Sequence, residues 1–113
     1  MKVYGIPNCD TVKKARTWLT SEGFAFDFVD FKKVPPSPSL IKTWVDAAGI
    51  DKVLNKRGTT WRKLDDATKA ITDETQLIQL MSEQPSLIKR PIIEDSDRIE
   101  VGFTADVQAA LKS

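Results

Sequence analysis

The chain has 113 residues, 41% of them hydrophobic and 29% charged, with a net charge of +1. These values suit a single soluble domain with a packed core and give no bulk electrostatic drive toward nucleic acid or membranes. One cysteine and no histidine exclude an internal disulfide, histidine-based acid–base catalysis and the usual zinc ligand sets.

Met1 to Tyr4 runs straight into Gly5 and Pro7, which leaves no room for the apolar stretch of a signal peptide. No run is long and apolar enough to span a bilayer. The expectation is a cytoplasmic protein of a reducing compartment. Val3-Tyr4 is short and β-prone, so residues 2–5 are expected to form a strand, and Gly5-Ile6-Pro7-Asn8 a turn. From Cys9 the period becomes helical: Val12, Ala15 and Leu19 share a face, while Lys13, Lys14 and Arg16 lie elsewhere. Gly23 stops that helix. Phe24, Phe26 and Phe28 then alternate with Ala25 and Asp27 at strand period.

Val34 to Ser39 (VPPSPS) breaks the pattern but is too short for a domain linker. Ser37 is a natural N-cap before Pro38 at the first helical position. Leu40, Ile41, Trp44, Val45 and Ala48 form the apolar face of the helix that follows, ending near Gly49. A polar, basic stretch runs from Asn55 to Leu64. Thr72, Asp73 and Glu74 start another helix, with acids at its positive end, and Leu77, Ile78 and Met81 form its inner face. Pro85 lies past its end. "IKRPIIE" and "RIEVGF" read as two short strands, with Glu94 to Arg98 as a hairpin turn. Thr104 caps a last helix carrying Val107, Ala110 and Leu111. The order β-α-β, several helices, β-β-α predicts an α/β fold: a small mixed sheet in a thioredoxin-like layout with a helical insertion at roughly 37–84, all within one domain.

Cys9 is the chemically informative residue. It stands where the turn meets the first helix. A thiol at a helix N-terminus faces unsatisfied N–H groups and the positive end of the helix dipole, both of which favour the thiolate. Asp10 opposes this with its own charge. The alternative role is a small buried hydrophobe. Thr11 and Val12 stand where a Cys-x-x-Cys motif would place its partner, so a reactive Cys9 needs an outside thiol to release any adduct, and glutathione is the obvious cellular one. Two basic clusters, Lys56-Arg57-Gly58-Thr59-Thr60 and Arg90-Pro91, are either solvated surface charge or anion contacts; spacing alone favours surface charge. Trp61 is read as core.

"YGIPNCDTVKKARTWL", "LNKRGTTWRKL" and "IKRPII", in this order, resemble the arsenate reductase-like ArsC/Spx family, and within it the YffB-like branch. The resemblance covers nearly the whole chain. It implies a thioredoxin-like fold, an active-site thiol at Cys9, and a cis peptide bond before Pro91, with that proline facing the thiol. Family members that reduce arsenate hold the oxyanion with three arginines. Arg57 matches the first and Arg90 the second. At the third place stands Gly102-Phe103, and Arg98 in the preceding turn is not its equivalent. The Spx branch of RNA polymerase-binding regulators usually carries Cys-x-x-Cys, which Thr11 and Val12 break.

The leading expectation is therefore a glutathione-dependent thiol oxidoreductase with Cys9 as nucleophile. Asn8, Thr11, Arg57, Arg90 and Pro91 are its candidate substrate- or anion-binding residues. It holds no bound cofactor or metal and uses glutathione as co-substrate, with glutaredoxin or a disulfide-bearing substrate as possible partners. A monomer that touches neither nucleic acid nor membrane is expected. The alternatives are an arsenate reductase coupled to glutathione and glutaredoxin, and a non-catalytic Spx-like regulator that binds RNA polymerase.

Overall fold

A computed structural model describes residues 1–113. In chain order the elements are β1 (Lys2–Gly5), α1 (Asp10–Ser21), β2 (Asp27–Asp30), α2 (Pro38–Ala48), α3 (Ile50–Val53), α4 (Thr59–Arg62), α5 (Asp66–Lys69), α6 (Glu74–Glu83), a 3₁₀ turn (Pro85–Leu87), β3 (Ile92–Asp95), β4 (Arg98–Val101) and α7 (Ala105–Lys112). They fall into two compact units, Met1–Val34 with Arg90–Ser113, and Pro35–Lys89.

The first unit is a four-stranded mixed sheet ordered β2-β1-β3-β4, the small sheet expected of a thioredoxin-like α/β fold. β1 runs parallel to β2, with Val3 opposite Phe28, and antiparallel to β3, with Tyr4 opposite Ile92. β3 and β4 form the expected hairpin, closed by the Asp95–Arg98 pair around Ser96 and Asp97. One side of the sheet is buried by Val3, Ile93, Leu19 of α1, and Val107 and Leu111 of α7. Removing these side chains from water is the main force that holds the two helices on the sheet. Tyr4 and β3 are also joined by a hydrogen bond: the Tyr4 hydroxyl donates to Glu94 Oε1 at 2.9 Å.

The second strand lies further along the chain than the phenylalanine alternation predicts. It covers Asp27–Asp30, not Phe24 to Phe28. The cause is the end of α1. Gly23 adopts φ +84°, a left-handed value that favours glycine. Its N–H donates to Thr20 O at 3.1 Å, and the Phe24 N–H donates back to Leu19 O at 2.9 Å. This pair of bonds is a Schellman cap. Phe24 spends its donor on the helix end, and its ring stacks on Trp18 with centroids 6.0 Å apart. The ladder can begin only past it, with the Asp27 N–H donating to Met1 O at 3.0 Å.

The second unit is helical. Ser37 caps α2 through its side chain, accepting from the Leu40 N–H, with Pro38 at the first helical position as expected. Ile41, Trp44 and Val45 of α2 and Leu77, Ile78 and Met81 of α6 are buried. The cap of α6 is Asp73, which accepts from Gln76 N–H at 3.0 Å, within the start read at Thr72 to Glu74. The basic stretch after Asn55 is not irregular throughout: it contains α4, whose Trp61 is buried. The Asn55 N–H donates to Leu87 O at 2.7 Å and the Lys89 N–H to Val53 O at 2.8 Å, which tie the start of that stretch to the 3₁₀ turn.

Gly5 sets how closely α1 approaches β1. A Cβ built there would lie 2.8 Å from a methyl carbon of Val12, and Val12 is fully buried. Gly5→Ala is expected to destabilise the protein by about 1–3 kcal/mol, the usual cost of overpacking a filled core. Urea denaturation measures this; an unchanged midpoint would show that α1 can lift off β1 without cost.

Candidate functional site

Cys9 occupies the N-cap of α1 with extended backbone angles, φ −83° and ψ 126°. The turn before it is held by the Cys9 N–H donating to Ile6 O at 3.1 Å, and the helix begins with the Lys13 N–H donating to Cys9 O at 2.9 Å. The thiol is half-buried. It forms no cap hydrogen bond of ordinary geometry, yet it stands over the first N–H groups of the helix. Partial burial works against its ionisation. The Val12 N–H, the hydrogen bond and charge of the Arg90 side chain, and the Thr11 N–H outweigh that penalty, so the thiol titrates below its ordinary range. Two elements far apart in sequence make this environment, the start of α1 and the residue that precedes β3.

The Arg90–Pro91 peptide bond is cis. The register places Pro91 at the same end of the sheet as Cys9, because Tyr4 pairs with Ile92 and Cys9 follows β1. Pro91 is buried, and its carbonyl accepts from the Gly102 N–H at 2.8 Å. Asn8 and Thr11 flank the thiol and are exposed. Cys9, Asn8, Thr11, Arg90 and Pro91 thus share one unit.

Arg57 belongs to the Pro35–Lys89 unit. It is exposed, and its N–H donates to Asn55 Oδ1 at 3.1 Å. Lys56 and Lys89 join it around a cavity of about 340 Å³ that also holds Asp51 and Asn55. Next in the chain, a Cβ on Gly58 would lie 3.0 Å from Asn55 Nδ2, so a larger residue there would press on the Asn55 side chain. Three cations and one acid give this cavity a net positive lining.

The position of the missing third arginine has a definite occupant. Phe103 packs edge-on against Trp18, with centroids 5.6 Å apart. Trp18 lies nine residues beyond Cys9, which at about 100° per residue puts it on the opposite side of α1 from the thiol. The Phe103 ring is thus committed to the aromatic edge of the core, not to the thiol site. Arg98 does not replace the missing cation. It lies at the other end of the sheet and donates to Ala110 O and Ser113 Oγ at the end of α7.

Sequence reasoning did not single out the N–H groups of Thr11 and Val12, although placing the helix start at Cys9 implies them. Lys13 and Arg16, read only as lying off the buried face, are four and seven residues past Cys9 and therefore on its side of α1.

Comparison with known proteins places this chain in a family. The ArsC family profile matches residues 4–111. The solved structure of a YffB protein is 50% identical over 96% of this chain and 96% of its own, with a TM-score of 0.92. An arsenate reductase (ArsC) related protein from Brucella melitensis is 37% identical over 96% of this chain and 91% of its own, with a TM-score of 0.76. The global transcriptional regulator Spx of Streptococcus mutans is 32% identical over 102 residues, which cover 88% of this chain and 74% of the regulator.

Proposed function

Because this chain belongs to the ArsC family, we propose that it is a thiol oxidoreductase that uses glutathione as co-substrate and Cys9 as nucleophile. The observation that carries this reading is the single half-exposed thiol, held below its ordinary range between Arg90 and the first N–H groups of α1. The Cys9 thiolate attacks a sulfur of a disulfide. An S–S bond forms at Cys9, the original one breaks, and the displaced thiolate takes a proton from water. With a glutathionylated substrate the product is a mixed disulfide between Cys9 and glutathione. A second glutathione thiolate attacks the glutathione sulfur of that adduct. Oxidised glutathione leaves, and the Cys9 thiolate returns. The sum is one glutathionylated substrate and one glutathione converted to a free substrate thiol and one oxidised glutathione.

The lone cysteine fits this cycle, because no second thiol competes for the adduct. Val12, at the place of a resolving cysteine, is fully buried. Glutaredoxin is an alternative source of the releasing thiol. Arg90 steadies the thiolate and draws in an anionic co-substrate, while Asn8, Thr11 and Pro91 line the approach. Arg57, with Lys56 and Lys89, offers a separate carboxylate receptor in its own unit.

Arsenate reduction is the weaker reading, since the Phe103 ring is spent on Trp18 and supplies no oxyanion contact. The Spx-like reading lacks a Cys-x-x-Cys switch at Cys9 to Val12. Incubation with oxidised glutathione followed by intact mass spectrometry tests the proposal. One glutathionyl adduct is expected, on Cys9, removed by reduced glutathione. An unmodified protein whose Cys9 still reacts with iodoacetamide would overturn it.

A further inference from the structure

Along the side of α1 that starts at Cys9, the surface does not close over. Two open cavities, of about 480 and 470 Å³, adjoin at Arg16. The first begins at Pro7, two residues before the thiol, and reaches Lys33 and Val34 beyond β2. The second continues past Lys13 to Phe26 and the end of α1. Together they form a groove between α1 and the edge strand β2.

Its chemistry is one-sided. Phe26 and Phe28 give it an apolar wall and are themselves half-buried. Val34 is 60% exposed, the large hydrophobic side chain this protein leaves most open to water. The Arg16 guanidinium sits 4.1 Å from the Phe28 ring centroid, which fixes its plane while leaving its edge N–H groups free to donate. Lys13 and Lys33 flank it. None of the three cations makes an ion pair. The groove lining contains one carboxylate, Asp30, and its Oδ1 already accepts from the Lys32 N–H at 2.9 Å. Three unpaired cations beside exposed apolar surface fit an acidic, partly apolar segment, not a small neutral thiol.

We propose that this groove receives the acidic and apolar residues that flank the reducible cysteine of a protein substrate, and so directs Cys9 toward disulfides carried on such segments. This inference rests on the thiol-exchange reading given above. The distances set the register. Arg16 lies roughly 10 Å along α1 from Cys9 at about 1.5 Å per residue. An extended peptide spans about 3.3–3.6 Å per residue, so an acidic side chain about three residues from the reducible cysteine meets Arg16.

Two glutathionylated peptides test this, identical except that one carries Glu and the other Lys three residues from the modified cysteine. The wild-type protein is expected to reduce the Glu peptide with a kcat/KM roughly tenfold higher, the scale of two modest charge contacts. In the Arg16→Glu/Lys33→Glu double variant that ratio is expected to fall to one or below, and the difference should lie in KM. Arg16→Gln/Lys33→Gln, which adds no new charge, should bring the ratio close to one, and it keeps the test intact should the charge-reversed variant fold poorly. The failure of thiol exchange itself is separated by anisotropy. Cys9→Ser protein should bind a fluorescent Glu peptide, with serine replacing its cysteine, more tightly than the Lys peptide, and added salt should weaken the binding. Equal wild-type turnover of the two peptides, equal binding by the Cys9→Ser protein, or a preference that survives the double variant would overturn the proposal.

Discussion

Replacing Cys9 by serine is expected to reduce glutathione-dependent disulfide reduction at least roughly a thousandfold, the scale on which losing a covalent nucleophile acts. A serine hydroxyl has no thiolate to offer and forms no stable mixed disulfide. The fold should survive the change. Cys9 is half-buried at an N-cap, and serine is among the best N-cap residues, since its oxygen can accept from the N–H groups that already face this position. Thermal melting should therefore show Cys9→Ser as stable as the parent or slightly more so. Loss of activity together with loss of folding would point instead to a structural cysteine. Retained activity would mean that the chemistry lies elsewhere in the chain.

Replacing Arg90 by methionine is the second large effect, and its sign follows from the site. Burial alone would push the Cys9 thiol up. The Val12 N–H, Arg90 and the Thr11 N–H bring it below its ordinary range. Without Arg90, both its hydrogen bond and its charge are lost, and the thiol titrates at higher pH. At pH 7 the variant should then carry less thiolate and react several-fold more slowly with neutral iodoacetamide. At higher pH, as the thiol of the variant also ionises, the two rates should converge. With anionic iodoacetate the deficit should persist at high pH, because the guanidinium also attracts the reagent. A variant with an unchanged iodoacetamide profile would remove Arg90 from the thiol environment. A deficit of equal size at all pH values with the neutral reagent would assign it a steric role.

The first unit was largely legible in the sequence where its elements are periodic. β1, α1, the β3–β4 hairpin and α7 each combine an apolar pattern with a turn or cap signal, such as Thr104, whose Oγ1 accepts from the Val107 N–H at 3.3 Å. β2 was displaced because strand period alone cannot show that the Phe24 N–H is already used to close α1. The four-residue helices α3, α4 and α5 are shorter than any periodic window, and their stability comes from packing such as the burial of Trp61, not from propensity. In the site, the helix-start thiol could be read directly. That Arg90 meets it could not, because spacing does not bring residue 90 to residue 9; the family resemblance supplied that pairing. The groove beside α1 was half legible. The spacing of Lys13 and Arg16 from Cys9 gives one wall, whereas the Arg16–Phe28 contact depends on where β2 lies in the sheet.

The most direct test of this account is the rate of Cys9 alkylation by iodoacetamide in the folded protein from about pH 4 to pH 10. A midpoint clearly below the free-thiol value of about 8.5 is predicted, with reaction complete under native conditions. A midpoint at or above that value, or a thiol that reacts only after unfolding, would contradict it and make Cys9 a structural residue.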